Sequence, residues 1–256
     1  MDLIFNNLST MAIVFAIGIT LLAGFVKGAT GFALPMIMVS GLATVLPPDV
    51  AIAALIVPTV VSNVWQALRG GGVGAAVTVA SRYKLYIGTL LVVIVITAQL
   101  VSAMSHDAIM LTIGIPITLL ALVLLSGKKF SISDGGRKFA DVIIGTISGF
   151  LGGLAGIWGP LTVMYLTALE TPKKDQVRVT GVIFSAGAVV LGLSHLKSGL
   201  LNAQTIPLSL FMIIPVLIGQ TLGNRLQDRL DQQKFKRLTL LVLVIAGLNL
   251  IRRGMM

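Results

Sequence analysis

The 256-residue chain has no cysteine, only nine acidic side chains, two histidines and two tryptophans. Without cysteine it can form no disulfide framework, thiolate nucleophile or cysteine-based metal site. It contains no Gly-x-x-x-x-Gly-Lys-Ser/Thr loop, so an ATP-driven pump would need a separate subunit. It also lacks a His-Glu-x-x-His motif and any pair of acids away from a predicted helix end. An intramembrane enzyme would therefore have neither a nucleophile–base pair nor metal ligands. No metal and no other cofactor is expected. A structural or assembly subunit would be expected to carry long soluble domains or tails, and the sequence offers none. Charge itself is scarce, at 11% of residues.

What is present is apolar. Hydrophobic residues make up 56% of the chain and the mean hydropathy is +1.00. The charges are clumped, leaving charge-free runs at 3–26, 28–48, 50–68, 85–105, 108–127, 142–169, 179–194, 198–224 and 238–251. A helix needs about 20 apolar residues to cross a bilayer, so most of these runs can span. The expected class is an all-α polytopic membrane protein. The net charge of +10 needs no nucleic acid to explain it. The basic residues lie between the apolar runs, where the positive-inside rule puts them. The first run has no basic leader before it and belongs to a repeat, so it is not expected to be a cleaved signal peptide.

The repeat organises the chain. Residues 24–35 read GFVKGATGFALP and residues 149–160 read GFLGGLAGIWGP, 125 positions later. Gly24, Phe25, Gly28, Gly31 and Pro35 match Gly149, Phe150, Gly153, Gly156 and Pro160. Pro47 matches Pro172 and Gly74 matches Gly199 without a gap. The expected segments are 10–27, 30–46, 49–68, 83–104 and 107–126, then 139–153, 155–169, 175–195, 204–224 and 234–251. Pro58 should kink the third of these. Residues 69–84 read as a basic, glycine-rich connection. The domain division is a first transmembrane repeat at 1–126, a cytoplasmic connection at 127–138 and a second repeat at 139–256. Each repeat is a glycine-broken helical hairpin plus three transmembrane helices. That is an odd number of crossings, so the second repeat is inverted. Fifteen of the 19 lysines and arginines then fall on one face and three on the other, with Lys27 at the glycine break. A parallel arrangement would split the same loops ten to eight. The richer face is predicted to be cytoplasmic and both termini outside.

A helix broken inside a membrane exposes backbone N–H and C=O groups, tolerated only where they are buried in protein or line a polar cavity. Gly28-Ala29-Thr30-Gly31 and Gly153-Leu154-Ala155-Gly156 are suitable breaks, with Thr30 placed to cap the following helix. The N-terminus of each half-helix carries partial positive charge. Two such tips facing each other would suit a small anion. The alternative is that Gly24-x-x-x-Gly28 and Gly149-x-x-x-Gly153 simply let helices pack closely. Lys27 is either a functional intramembrane charge or a side chain that snorkels to the interface. Thr59, Ser62, Asn63 and Gln66 form a polar stripe at helical spacing, for ligand or for interhelical bonding. Trp158 either walls the site or is packed. His106 and His195 end helices and read as interfacial. The candidate substrate-binding set is Lys27, Gly28, Thr30, Gly31, Asn63, Gln66, Gly153, Gly156 and Trp158, with no catalytic and no metal-binding residue.

The glycine-rich first segment with Pro35, the Pro47–Pro48 turn and the duplicated GFVKGATG and GFLGGLAG resemble the sulfite exporter TauE/SafE family over nearly the whole chain. In this copy Phe32-Ala33-Leu34 and Trp158 stand where small residues are common in that family. The resemblance implies a prokaryotic inner-membrane permease for sulfite, sulfonates such as sulfoacetate, or related sulfur oxyanions. The expected partners are a small anionic substrate and the lipid bilayer, with no nucleic acid. A homo-oligomer is compatible with the sequence. All nine acids lie at or near predicted membrane boundaries, so the anion itself is expected to carry the transported charge, outward down a negative-inside potential. The alternative is a proton- or ion-coupled permease for another anion.

Overall fold

The computed structural model of the protein describes residues 9–69, 72–127, 131–226 and 231–256. Among these, every regular element is helical. The first half contains α1 (Thr10–Thr30), α2 (Leu34–Leu42), α3 (Pro48–Arg69), α4 (Gly72–Arg82), α5 (Lys84–Ala98) and α6 (His106–Leu125). The second contains α7 (Arg137–Ala155), α8 (Gly159–Ala168), α9 (Lys173–Lys197), α10 (Ile206–Phe211), α11 (Ile213–Leu226) and α12 (Gln232–Gly254). Among the described residues, seven stretches are long and apolar enough to cross a membrane: Thr10–Thr30, Pro48–Leu68, Lys84–Ala103, His106–Leu125, Arg137–Ala155, Arg178–Lys197 and Ile206–Arg225. Their outward side chains are apolar, as lipid requires; Val92, Leu119, Leu193 and Ile214 are each more than half exposed. This is a polytopic α-helical membrane protein.

Local chemistry sets the ends. Ser9 caps α1, its side chain accepting from Ala12 N at 3.2 Å, and Ser105 caps α6 in the same way. The breaks fall at the last glycine of each expected quartet, so α1 and α7 end at Thr30 and Ala155, past the expected segment ends at 27 and 153. α1 runs through Thr30 and ends at Gly31, with φ +84°; α7 runs through Ala155 and ends at Gly156, with φ +72°. Both glycines take the left-handed conformation that other residues adopt only at a cost. Thr30 does not cap the next helix. It is the last residue of α1, and its hydroxyl donates back to the Val26 carbonyl at 2.8 Å. The predicted connection at 69–84 is also corrected, because GVGAAVTVASR forms α4. Residues 70–71 of that connection, 128–130 of the cytoplasmic one and residues 1–8 lie outside the described residues.

The 125-residue offset maps α1 onto α7, α2 onto α8, α3 onto α9, α5 onto α11 and α6 onto α12. The contacts respect it. α1 packs along α11 and α7 packs along α5, so equivalent pairs form across the two halves. A Cβ on Gly24 would lie 2.3 Å from the Val216 carbonyl oxygen, and one on Gly28 would lie 2.3 Å from that of Gln220. Gly219 and Gly223 meet the Leu21 and Phe25 carbonyls as closely, at 2.0 and 2.1 Å. At the equivalent crossing a Cβ on Gly149 would lie 2.7 Å from Leu90 O, and one on Gly153 would run into the Thr97 hydroxyl. Sequence numbers rise together along both pairs, so these helices run parallel. α3 meets its own counterpart α9 the other way: Ala67 lies by Gly181 and Val60 by Gly192. α6 and α12 are likewise antiparallel, with Gly114 against Gly247 and Met110 against Gly254.

Candidate functional site

α2 has 9 residues and α8 has 10. At 1.5 Å per residue each is about 15 Å long, roughly half the hydrocarbon thickness. Their N-termini converge. One small cavity is lined by residues 32–36 before and at the start of α2, by 156–160 at the start of α8, and by Lys27, Asn63 and Phe184. Its volume is about 10 Å³, room for about one water molecule. Neither α2 nor α8 has a side-chain cap, and each carries proline within its first two positions. Pro35 and Pro160 are tolerated there because first-turn N–H groups have no intrahelical partner. The remaining first-turn amides of both half-helices therefore bring partial positive charge to one space.

Lys27 adds a basic side chain. It is 2% exposed, and its ammonium donates to Asn63 Oδ1. Asn63 in turn donates from Nδ2 to the Phe184 carbonyl at 3.2 Å, which orients the amide oxygen toward the lysine. The lysine does not snorkel. No acidic residue lines the cavity among the described residues. An ammonium, two half-helix N-termini and no carboxylate make an electropositive chamber, suited to a small anion and hostile to a cation.

The repeat is broken here in a compensating way. Lys27 corresponds to Gly152 and Ala33 to Trp158. A Cβ on Gly152 would lie 2.5 Å from the Trp158 indole, so the missing side chain leaves room for the ring. Trp158 is 2% exposed and sits 6.4 Å from Phe184, ring to ring. One repeat thus supplies the cation and the other the aromatic wall.

Of the predicted residues, Lys27, Asn63, Gly156 and Trp158 meet at the cavity. Gly28 and Gly153 do not: they sit in the parallel crossings with α11 and α5. Both readings of the glycines therefore hold, at different positions. Gly24, Gly28, Gly149 and Gly153 permit close packing, while Gly31 and Gly156 make the breaks. Thr30 and Gly31 shape the turn behind the cavity. Gln66 donates to Thr180 Oγ1 at 3.4 Å, tying α3 to α9. Ser62 donates to Gln220 Oε1 at 2.7 Å, tying α3 to α11. His195, expected at an interface, is fully buried, with Nδ1 3.2 Å from Ser198 Oγ. Sequence reasoning passed over Phe184, which reaches the cavity only because α9 packs on α3.

Two further cavities lie in line with this one along α9. At its N-terminal end Asp175 and Arg178 join Arg82, Tyr83 and Thr171 around about 370 Å³. Phe184 reaches the central cavity, and Ser198 beyond the C-terminal end joins Asp49, His106 and Asn202 around about 280 Å³. The small central cavity thus lies between two larger ones along α9.

A family model described as "Sulfite exporter TauE/SafE" matches residues 16–250. The chain belongs to the sulfite exporter TauE/SafE family. That family is one of membrane transporters. A protein of Methanocaldococcus jannaschii described as a probable membrane transporter is 29% identical over 128 residues, which cover 47% of this chain and 48% of that relative. The matched part thus spans about half the length of the curated relative. No solved structure matches the TauE/SafE chain.

Proposed function

We propose that this TauE/SafE-family protein carries a small sulfur-containing anion, such as sulfite or a sulfonate, outward across a cell inner membrane. The observation that supports this best is the small cavity in which Lys27 and two uncapped half-helix N-termini converge without a carboxylate. The chamber holds about one water as it stands, so an oxyanion enters only when one of the two vestibules opens to it. That is an alternating-access cycle around a fixed central site. We further take the repeats to be inverted, with both termini outside. The antiparallel packing of α3 on α9 and of α6 on α12, each a helix against its own repeat counterpart, favours this. The vestibule lined by Arg82 and Arg178 then faces the cytoplasm, where it gathers anions.

The test is flux of radiolabelled sulfite, sulfoacetate and acetate in proteoliposomes containing the purified protein. Saturable flux of a sulfur anion, well above acetate and lost in Lys27→Ala, is expected. Equal flux of all three, or flux indifferent to Lys27, would remove the central cavity as the anion site.

A further inference from the structure

Asp141 is not needed to bind an anion, and it is buried. It lies on α7, one turn beyond Arg137, and is 5% exposed. An ionised side chain at such depth costs roughly 2.5–3.5 kcal/mol near the centre of a membrane-spanning helix, less toward its end. Charged groups kept in that situation usually carry function. A negative charge is moreover the wrong sign for a protein that attracts anions. Its surroundings connect it in two directions. Tyr165 of the half-helix α8 donates its hydroxyl to Asp141 Oδ1. The Tyr165 ring stacks on Tyr86 of α5, with centroids 4.7 Å apart and 7° between planes. The Tyr86 hydroxyl donates to Ser148 Oγ at 3.1 Å and lies 2.8 Å from Thr162 Oγ1. Thr162 in turn donates to the carbonyl of Trp158, the aromatic wall of the central cavity, at 2.8 Å. In the other direction, Tyr165 meets Tyr83 edge-on at 6.3 Å, and Tyr83 lines the vestibule of about 370 Å³.

We propose that Asp141 is a proton-binding site, reached from the Arg82–Arg178 vestibule and coupled through α8 to the anion cavity. The role of the coupling rests on the central cavity being an anion site. The titratable group bonded to Asp141 is Tyr165 from α8; Tyr83 and Tyr86 from α5 and its N-cap pack on Tyr165, and the Arg137 and Arg82 guanidiniums stand over the Tyr83 ring. Those guanidiniums lie 5.4 and 5.8 Å from the Tyr83 ring centroid. Water in the vestibule supplies the proton, and no bond within the protein is broken. Protonation removes the charge that strengthens the Tyr165 hydrogen bond, so the tie of α8 to α7 is weakened. It also removes the negative charge that opposes an incoming anion. Proton and anion binding are therefore positively coupled, and by linkage each strengthens the other.

Two measurements decide this. Infrared spectra of the purified protein, recorded without any anion, should show a protonated-carboxyl band that grows as pH falls. Wild-type spectra should contain a titrating component that the Asp141→Asn spectra lack, and its midpoint should move in Tyr165→Phe. In proteoliposomes at equal pH on both sides, the KM for sulfoacetate should fall about tenfold as pH is lowered. In Asp141→Asn it should stay at the low-pH value throughout. Carboxyl spectra that are identical in wild type and Asp141→Asn, or a KM profile the substitution leaves unchanged, would overturn the proposal. A wild type that carries no sulfoacetate removes the anion reading instead, and the infrared band still decides whether Asp141 binds the proton. If Asp141→Asn does not fold, the midpoint shift in Tyr165→Phe carries the infrared test, and an unshifted midpoint counts against the site.

Discussion

At the scale of single residues, Lys27 and Asn63 carry the clearest consequences. A hydrogen bond to a charged group contributes about 1.5–3 kcal/mol, so Lys27→Ala should raise the KM for the transported anion roughly 10- to 100-fold. Lys27→Met should have the same effect on transport while raising thermal stability in detergent, because an apolar side chain of similar length replaces a buried charge. If Lys27→Met melts lower than wild type, the ammonium is holding the fold together rather than waiting for a ligand. Asn63 orients that ammonium, and Asn63→Leu should impair flux severalfold more than Ala188→Leu at its repeat counterpart. Equal losses in the two, measured as initial rates at matched protein levels, would point to packing. The identities of Lys27 and Asn63 were legible because each is polar inside an otherwise apolar run. The contribution of Phe184 was not, since nothing in a lone phenylalanine tells which partner helix will turn it toward a cavity.

Among elements, the glycine positions divide by task, and the division was only half legible. Spacing alone revealed the duplication and put a break in each copy, but it could not separate Gly28 from Gly31. Both are glycines one turn apart. What separates them is tertiary: α11 comes to 2.3 Å of a Cβ on Gly28, whereas Gly31 turns the chain at positive φ. The misplacement of the break and of Thr30 as a cap has the same origin, because a C-terminal glycine can extend a helix by a turn before it ends. The helix α4 escaped notice because Gly72 and Gly74 open its sequence and propensity argues against helix there. Gly223→Ala tests the packing role. Its Cβ would lie 2.1 Å from the Phe25 carbonyl, so α1 and α11 must separate. A loss of about 1–3 kcal/mol is expected from overpacking, read as a lower melting temperature in detergent, with KM little changed in whatever protein remains folded. An unchanged melting temperature would mean that this crossing yields freely. Gly156→Ala should act differently, lowering the transport rate through about 1–2 kcal/mol of left-handed strain at the α8 tip.

For the whole molecule the question is which way charge moves. The class of the protein, a polytopic helical bundle, was legible from hydropathy because lipid leaves few alternatives. The interleaving of halves, α1 on α11 and α7 on α5, was not, since apolar faces do not name their partners. That interleaving makes the two half-helix tips share one chamber, and it lets α3 and α9 line the route from vestibule to vestibule. If both termini lie outside, an impermeant thiol reagent should label single cysteines introduced at Ser9 and Met256 on intact cells. A cysteine at Ser131, in the central connection, should react only after permeabilisation. Labelling of Met256→Cys from the cytoplasm would undo the inverted arrangement. With that orientation, a negative-inside potential drives an anion outward, releasing about 2.3 kcal/mol per elementary charge per 100 mV. At equal pH on both sides, proteoliposomes with the potential clamped by potassium and valinomycin should therefore move sulfite toward the positive side. Reversing the potassium gradient should reverse the flow. At fixed potential, an imposed pH gradient should add to this through Asp141, and the increment should vanish in Asp141→Asn while the potential-driven flux remains. A flux blind to potential at every pH would mean that the anion's charge is fully compensated in transit, and that the proton is its obligatory companion.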